Sequence, residues 1–180
     1  EFPSVKLAER FVNGDLNVSE LTSMTDPVAK VLATEKSALN FDELTDLSDQ
    51  AAQYFSSHNA KGSAWCGFSL WLPQVATLSD AAAESLSRYS PKNAGICLTG
   101  LTNLSEAALV MFVKCDLKIE LAKKDKDWSW RSGTHERRLA LPDTFRYRVN
   151  KIRRSLSSET RKKESVKRKT SSVSQDQIEK

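Results

Sequence analysis

The chain has 180 residues, 39% hydrophobic and 28% charged, with mean hydropathy −0.46 and net charge +4: enough apolar material for one core and a solvated appendage. The longest apolar run, residues 107–113, is far shorter than the ~20 residues of a spanning helix, and no basic-then-apolar leader opens the chain, so we expect no membrane span. Cys66, Cys97 and Cys115 contain no C-x-x-C pair, which argues against a disulfide framework or a cysteine zinc site and for reduced thiols.

The charge is divided. Residues 1–122 hold 9 Lys and Arg against 15 Asp and Glu, whereas residues 123–180 hold 18 against 8. An ordered acidic domain followed by a basic tail is the expected organisation. The first residues are Glu-Phe rather than Met, which suggests a trimmed or internal piece.

Taken in chain order, residues 1–15 come first as a helical cap or partial repeat: Ala8 and Phe11 show the apolar spacing of a repeat's helix. Residues 16–122 then repeat. Leu16-x-Val18-x-x-Leu21-x-x-Met24-Thr25-Asp26-x-x-Ala29-x-x-Leu32 aligns without gaps on Leu39-x-Phe41-x-x-Leu44-x-x-Leu47-Ser48-Asp49-x-x-Ala52-x-x-Phe55. The frame recurs from Leu70 through Ser79-Asp80 to Leu86 and from Ile96 through Ser105-Glu106 to Phe112, and a fifth row begins at Ile119-x-Leu121. Starts at 16, 39, 70, 96 and 119 fall 23, 31, 26 and 23 residues apart, the range of stacked repeats. Each unit predicts a short strand, a turn and a helix. Alternation puts two apolar residues on one strand face, and the Ser/Thr-Asp pair marks a helix start, the hydroxyl at Thr25, Ser48, Ser79 or Ser105 capping a free backbone N–H and the carboxylate suiting the helix dipole. One unit cannot bury its apolar face alone, so stacking into a solenoid is expected.

These motifs resemble leucine-rich repeats, specifically the cysteine-containing subclass of many F-box-type recognition proteins, over about residues 4–122. The resemblance implies an α/β solenoid of short parallel strands backed by helices, with partners bound on its concave strand face. Where the subclass has Cys, and common leucine-rich repeats have Asn, this chain has Leu21, Leu44, Val75 and Leu101, so packing is expected to replace a hydrogen-bonded ladder under the turns. No F-box precedes the repeats, and a ubiquitin-ligase role does not carry over.

On that face the central residues are Asn17, Asn40, Trp71, Cys97 and Glu120, flanked by Asp15, Asp42, Ser69, Pro73, Thr99 and Lys118. With strands about 4.8 Å apart the five would form one ladder. Trp71 has two readings of equal weight, a binding anchor or a cover for the insertion before its repeat. That insertion, residues 59–68, holds Trp65 beside Cys66, as a contact tip or as a cover for the solenoid edge.

Residues 123–157 are expected to hold a degenerate strand at Leu139-Ala-Leu141, a cap, and a basic amphipathic helix with Phe145, Val149, Ile152 and Leu156 on one face. Residues 158–180 read as a disordered basic tail. Its clusters Arg161-Lys162-Lys163 and Lys167-Arg168-Lys169 are either solvated or the arm of a nucleic-acid-associated protein, resembling a nuclear-import signal.

Catalysis has little to work with. His58 near a helix end suits a charged imidazole on the helix dipole, His135 sits in a basic loop, and no phosphate loop, EF-hand or nucleophile elbow is present. The sequence therefore predicts a non-enzymatic protein-binding module without metal or cofactor, cytoplasmic or, if eukaryotic, nuclear; a nucleic-acid-associated protein is the alternative.

Overall fold

A computed structural model describes residues 5–12, 18–60, 68–89, 95–115, 118–122 and 138–175. The chain divides into two units, residues 1–146 and 147–180.

The first unit is α/β. Among the described residues it comprises α1 (Val5–Val12), α2 (Asp26–Leu32), β1 (Leu39–Asn40), α3 (Asp49–Ser56), β2 (Phe68–Trp71), α4 (Asp80–Ser87), β3 (Gly95–Cys97), α5 (Glu106–Lys114), β4 (Lys118–Ala122), β5 (Arg138–Pro142) and a 3-10 turn at Asp143–Phe145. The strands form one open sheet, parallel throughout, in the order β1-β2-β3-β5-β4. Helices α1 to α5 neighbour one another in sequence order.

The aligned columns of the repeat form the core. Leu39, Leu70, Ile96 and Leu139 are paired across the sheet and fully buried, and so are the helix columns Ala52, Ala83, Leu109 and Phe55, Leu86, Phe112. The Phe41 and Phe55 rings meet at 5.6 Å, joining the end of a strand to its helix. Leu44, Val75 and Leu101, at the position shared by the aligned rows, are buried. The turns above them are nevertheless hydrogen-bonded through the backbone: Thr45 N–H donates to the Thr22 carbonyl (3.3 Å) and Thr102 N–H to the Ala76 carbonyl (2.9 Å). Packing and a backbone ladder together hold the turns.

The serine caps form as expected. Ser48, Ser79 and Ser105 accept the N–H groups of Ala51, Ala82 and Ala108. Thr25 makes no side-chain cap, and Pro27, just inside its helix, removes one of the N–H groups a cap could satisfy. Of the strand expected at 16–18, Leu16 and Asn17 lie outside the described residues, and Val18 belongs to no strand.

The order of the last strands departs from the repeat. Ile119-x-Leu121 does form β4, but β5 inserts between it and β3, pairing Leu139 with both Ile96 and Ile119. Leu139-Ala-Leu141 thus does form the expected strand, but as an interior strand rather than the last of the sheet. The chemistry favours this exchange. Leu139, Ala140 and Leu141 are wholly buried, whereas β4 carries Lys118 and Glu120, charges that an interior strand would bury and an edge strand can solvate.

The second unit is α6, which runs from Arg146 to Gln175. Helix therefore continues through most of the segment expected to be disordered. No Gly or Pro follows Pro142, and Glu159 with Lys163, like Glu164 with Arg168, has the i,i+4 order that favours a helix. Val149 and Ile152 are buried and Leu156 half-buried, while Tyr147 is 77% exposed.

Candidate protein-binding face

The residues that alternate with the Leu39 column make the second face of the sheet. Register places Asn40 beside Trp71, Trp71 beside Cys97, Cys97 beside Ala140, and Ala140 beside Glu120. The predicted ladder is therefore real over Asn40, Trp71 and Cys97 but interrupted by Ala140 before Glu120, because β5 takes the fourth place. Asn17 and Trp65 lie outside the described residues.

A bulge in β2 shapes the centre of this face. Phe68 pairs with Gly95 and Leu70 with Ile96, so Phe68 and Ser69 on β2 stand against one step on β3. One extra residue reverses the alternation. Phe68 consequently joins the Trp71 side, the two rings 5.7 Å apart, over Cys97 and Ala140. Ser69, expected on the binding face, is instead buried and hydrogen-bonded to the Tyr89 hydroxyl, with the Gly95 carbonyl at 3.5 Å. Burial pushes the Tyr89 phenol up to about 12, against a smaller opposing effect of the serine, so the hydroxyl stays protonated.

Cys97 is wholly buried and so presents no surface to a partner; its sulfur lies 3.5 Å from the Thr99 hydroxyl. The accessible part of the ladder is exposed Asn40, half-buried Trp71 and half-buried Glu120. Around them Asn40 Nδ2 donates to Asp42 Oδ2 (3.0 Å), and Pro73 and Thr99 are half-buried. Phe68, which creates the apolar floor under Trp71, was missed because its place in the strict alternation is the core side.

His58 is not the charged residue expected at a helix end. It is buried, and its Nδ1 donates to the Ala33 carbonyl (3.3 Å), which leaves Nε2 buried without a hydrogen-bond partner. Burial holds its pKa below the ordinary value, opposed by the Ala33 carbonyl and the Glu35 carboxylate. The imidazole is a neutral core group.

Among the described residues no three His, Cys, Asp or Glu side chains are grouped to hold a metal ion, and no helix is long and apolar enough to cross a membrane. Arg161, Lys162 and Lys163 are exposed on α6; Lys167, Arg168 and Lys169 lie further along the same helix. The fold and this face define an α/β protein with a parallel sheet and one mixed apolar and polar sheet surface. No protein family, curated protein or solved structure matches the chain.

Proposed function

We propose that the chain is a leucine-rich-repeat-like solenoid serving as a non-catalytic protein-interaction module, with its partner docking on the Asn40 face of the sheet. Trp71 carries this reading. Its ring is half-buried against Phe68, Cys97 and Ala140, and exposed Asn40 stands beside it on β1 as a polar neighbour. An aromatic anchor in an apolar patch with a polar margin is the arrangement that concentrates binding energy at protein interfaces. The recurrence of strand, capped turn and helix, with each apolar column buried against the next, supports the solenoid part of the reading.

The test is capture of partners from lysate by the full chain at high salt with nuclease, repeated with Trp71→Ala. The expected result is at least a 30-fold loss of affinity for the recovered partner, about 2 kcal/mol, with the circular dichroism spectrum unchanged. Equal affinity removes the reading.

A further inference from the structure

We propose that α6 is a docking helix for double-stranded nucleic acid, holding the phosphate backbone without reading sequence. The helix has 30 residues, about 45 Å of length. It carries 11 Lys and Arg against 2 Glu, whereas residues 1–122 carry a net negative charge. The net positive charge of this chain is thus concentrated on one helix.

The charges are also ordered on that helix. Val149, Ile152 and Leu156 form one stripe, the first two buried. Lys151, Arg154 and Arg161 are exposed, and helical periodicity puts them on the side away from that stripe. Arg168 follows Arg161 by the same seven positions that separate Arg161 from Arg154. Arg154 to Arg168 covers about 21 Å of helix axis, or about six base-pair steps of a duplex.

Two observations choose the duplex among polyanions. Beyond Leu156 the helix has only Val166 and Val173 as apolar residues, so it lacks the face that an anionic membrane would bury. Its one exposed aromatic residue is Tyr147, too few for the stacking platform that single strands use. Charge repeated along one long helix, with neither greasy face nor stacking rings, fits regularly spaced phosphates on a stiff partner.

The experiment is fluorescence anisotropy of a 20-base-pair random-sequence DNA duplex with the full chain between 50 and 200 mM salt. Each phosphate contact contributes about −0.9 to the slope of log K against log salt, so the three exposed residues alone predict about −3. The triple variant Lys151→Gln, Arg154→Gln, Arg161→Gln should flatten the slope by about 2 to 3, with its helix content kept. The triple variant Lys6→Gln, Lys30→Gln, Lys36→Gln removes the same charge from the first unit and should leave the slope unchanged. Absence of binding at 50 mM salt, equal losses in the two variants, or tighter binding to a single strand, a phosphatidylserine vesicle or polyglutamate overturns the proposal. None of these outcomes depends on the Asn40 face.

Discussion

The Ser79 hydroxyl donates a hydrogen bond to Oδ1 of Asp49, the first residue of the preceding helix, while it accepts the Ala82 N–H of its own helix (2.9 Å). The same pairing joins Ser48 to Asp26 and Ser105 to Asp80, each at 2.5 Å. A hydroxyl has one hydrogen to give and lone pairs to receive, so both bonds coexist. Each serine thus caps its own helix and ties it to the one before.

Ser79→Ala removes both bonds and should cost about 1–2 kcal/mol, read from urea unfolding. Asp49→Asn keeps an oxygen that can accept, and so should cost clearly less. Equal losses would show that the serine's contribution lies in the carboxylate bond rather than in the cap.

Gly100 is set by its neighbour turn. A Cβ there would lie 2.1 Å from the Pro73 carbonyl oxygen, a backbone atom that cannot swing aside. Gly100→Ala should therefore destabilise the chain by about 1–3 kcal/mol through forced separation of the two turns, whereas Gln74→Ala, at the aligned and exposed position one repeat earlier, should be nearly neutral. Both are measured by thermal unfolding.

The apolar columns were legible because each fixed spacing recurs without gaps, and the serine caps because Ser-Asp repeats beside them. The bonds between repeats were not read, although aligned rows set each Ser next to the previous Asp; capping alone already accounted for both residues. The place of β5 had a visible signal as well. Leu139-Ala-Leu141 is wholly apolar whereas Lys118-Ile-Glu-Leu121 is not, a contrast that runs against the order of the strands in the chain. The β2 bulge left no such mark, since Phe68-Ser-Leu-Trp71 fits regular alternation equally well with Ser69 facing out. The length of α6 was obscured by composition: a polar, charged segment reads as solvated chain until its lack of Gly and Pro is weighed.

Tyr89 and Ser69 form a buried polar pair. Ser69→Ala strands the Tyr89 hydroxyl and should cost about 1–3 kcal/mol, whereas Tyr89→Phe leaves the Ser69 hydroxyl the Gly95 carbonyl and should cost less. The double variant should cost less than the two single losses added together, a coupling read from a double-mutant cycle by urea unfolding. Strict additivity would show that the two hydroxyls do not support each other.

His58 makes stability depend on pH. Its folded pKa is depressed by burial below the ordinary 6.5, so between the two values the unfolded chain binds the extra proton. Its contribution is fully present above about pH 6.5 and is lost progressively as pH falls towards the lowered folded value. Urea midpoints at pH 7.5 and 5.5 should drop more for the native chain than for His58→Gln. Equal drops would place the acid sensitivity elsewhere.

The central claim is that the Asn40 face of the sheet receives a partner. Its most direct measurement is photo-crosslinking in lysate with benzoylphenylalanine placed at Asn40 or at Glu84, which is exposed on α4. A partner band from Asn40 that is missing from Glu84 and lost with Trp71→Ala is the predicted result. A band from Glu84 alone, or one from Asn40 that survives loss of the Trp71 ring, would contradict it.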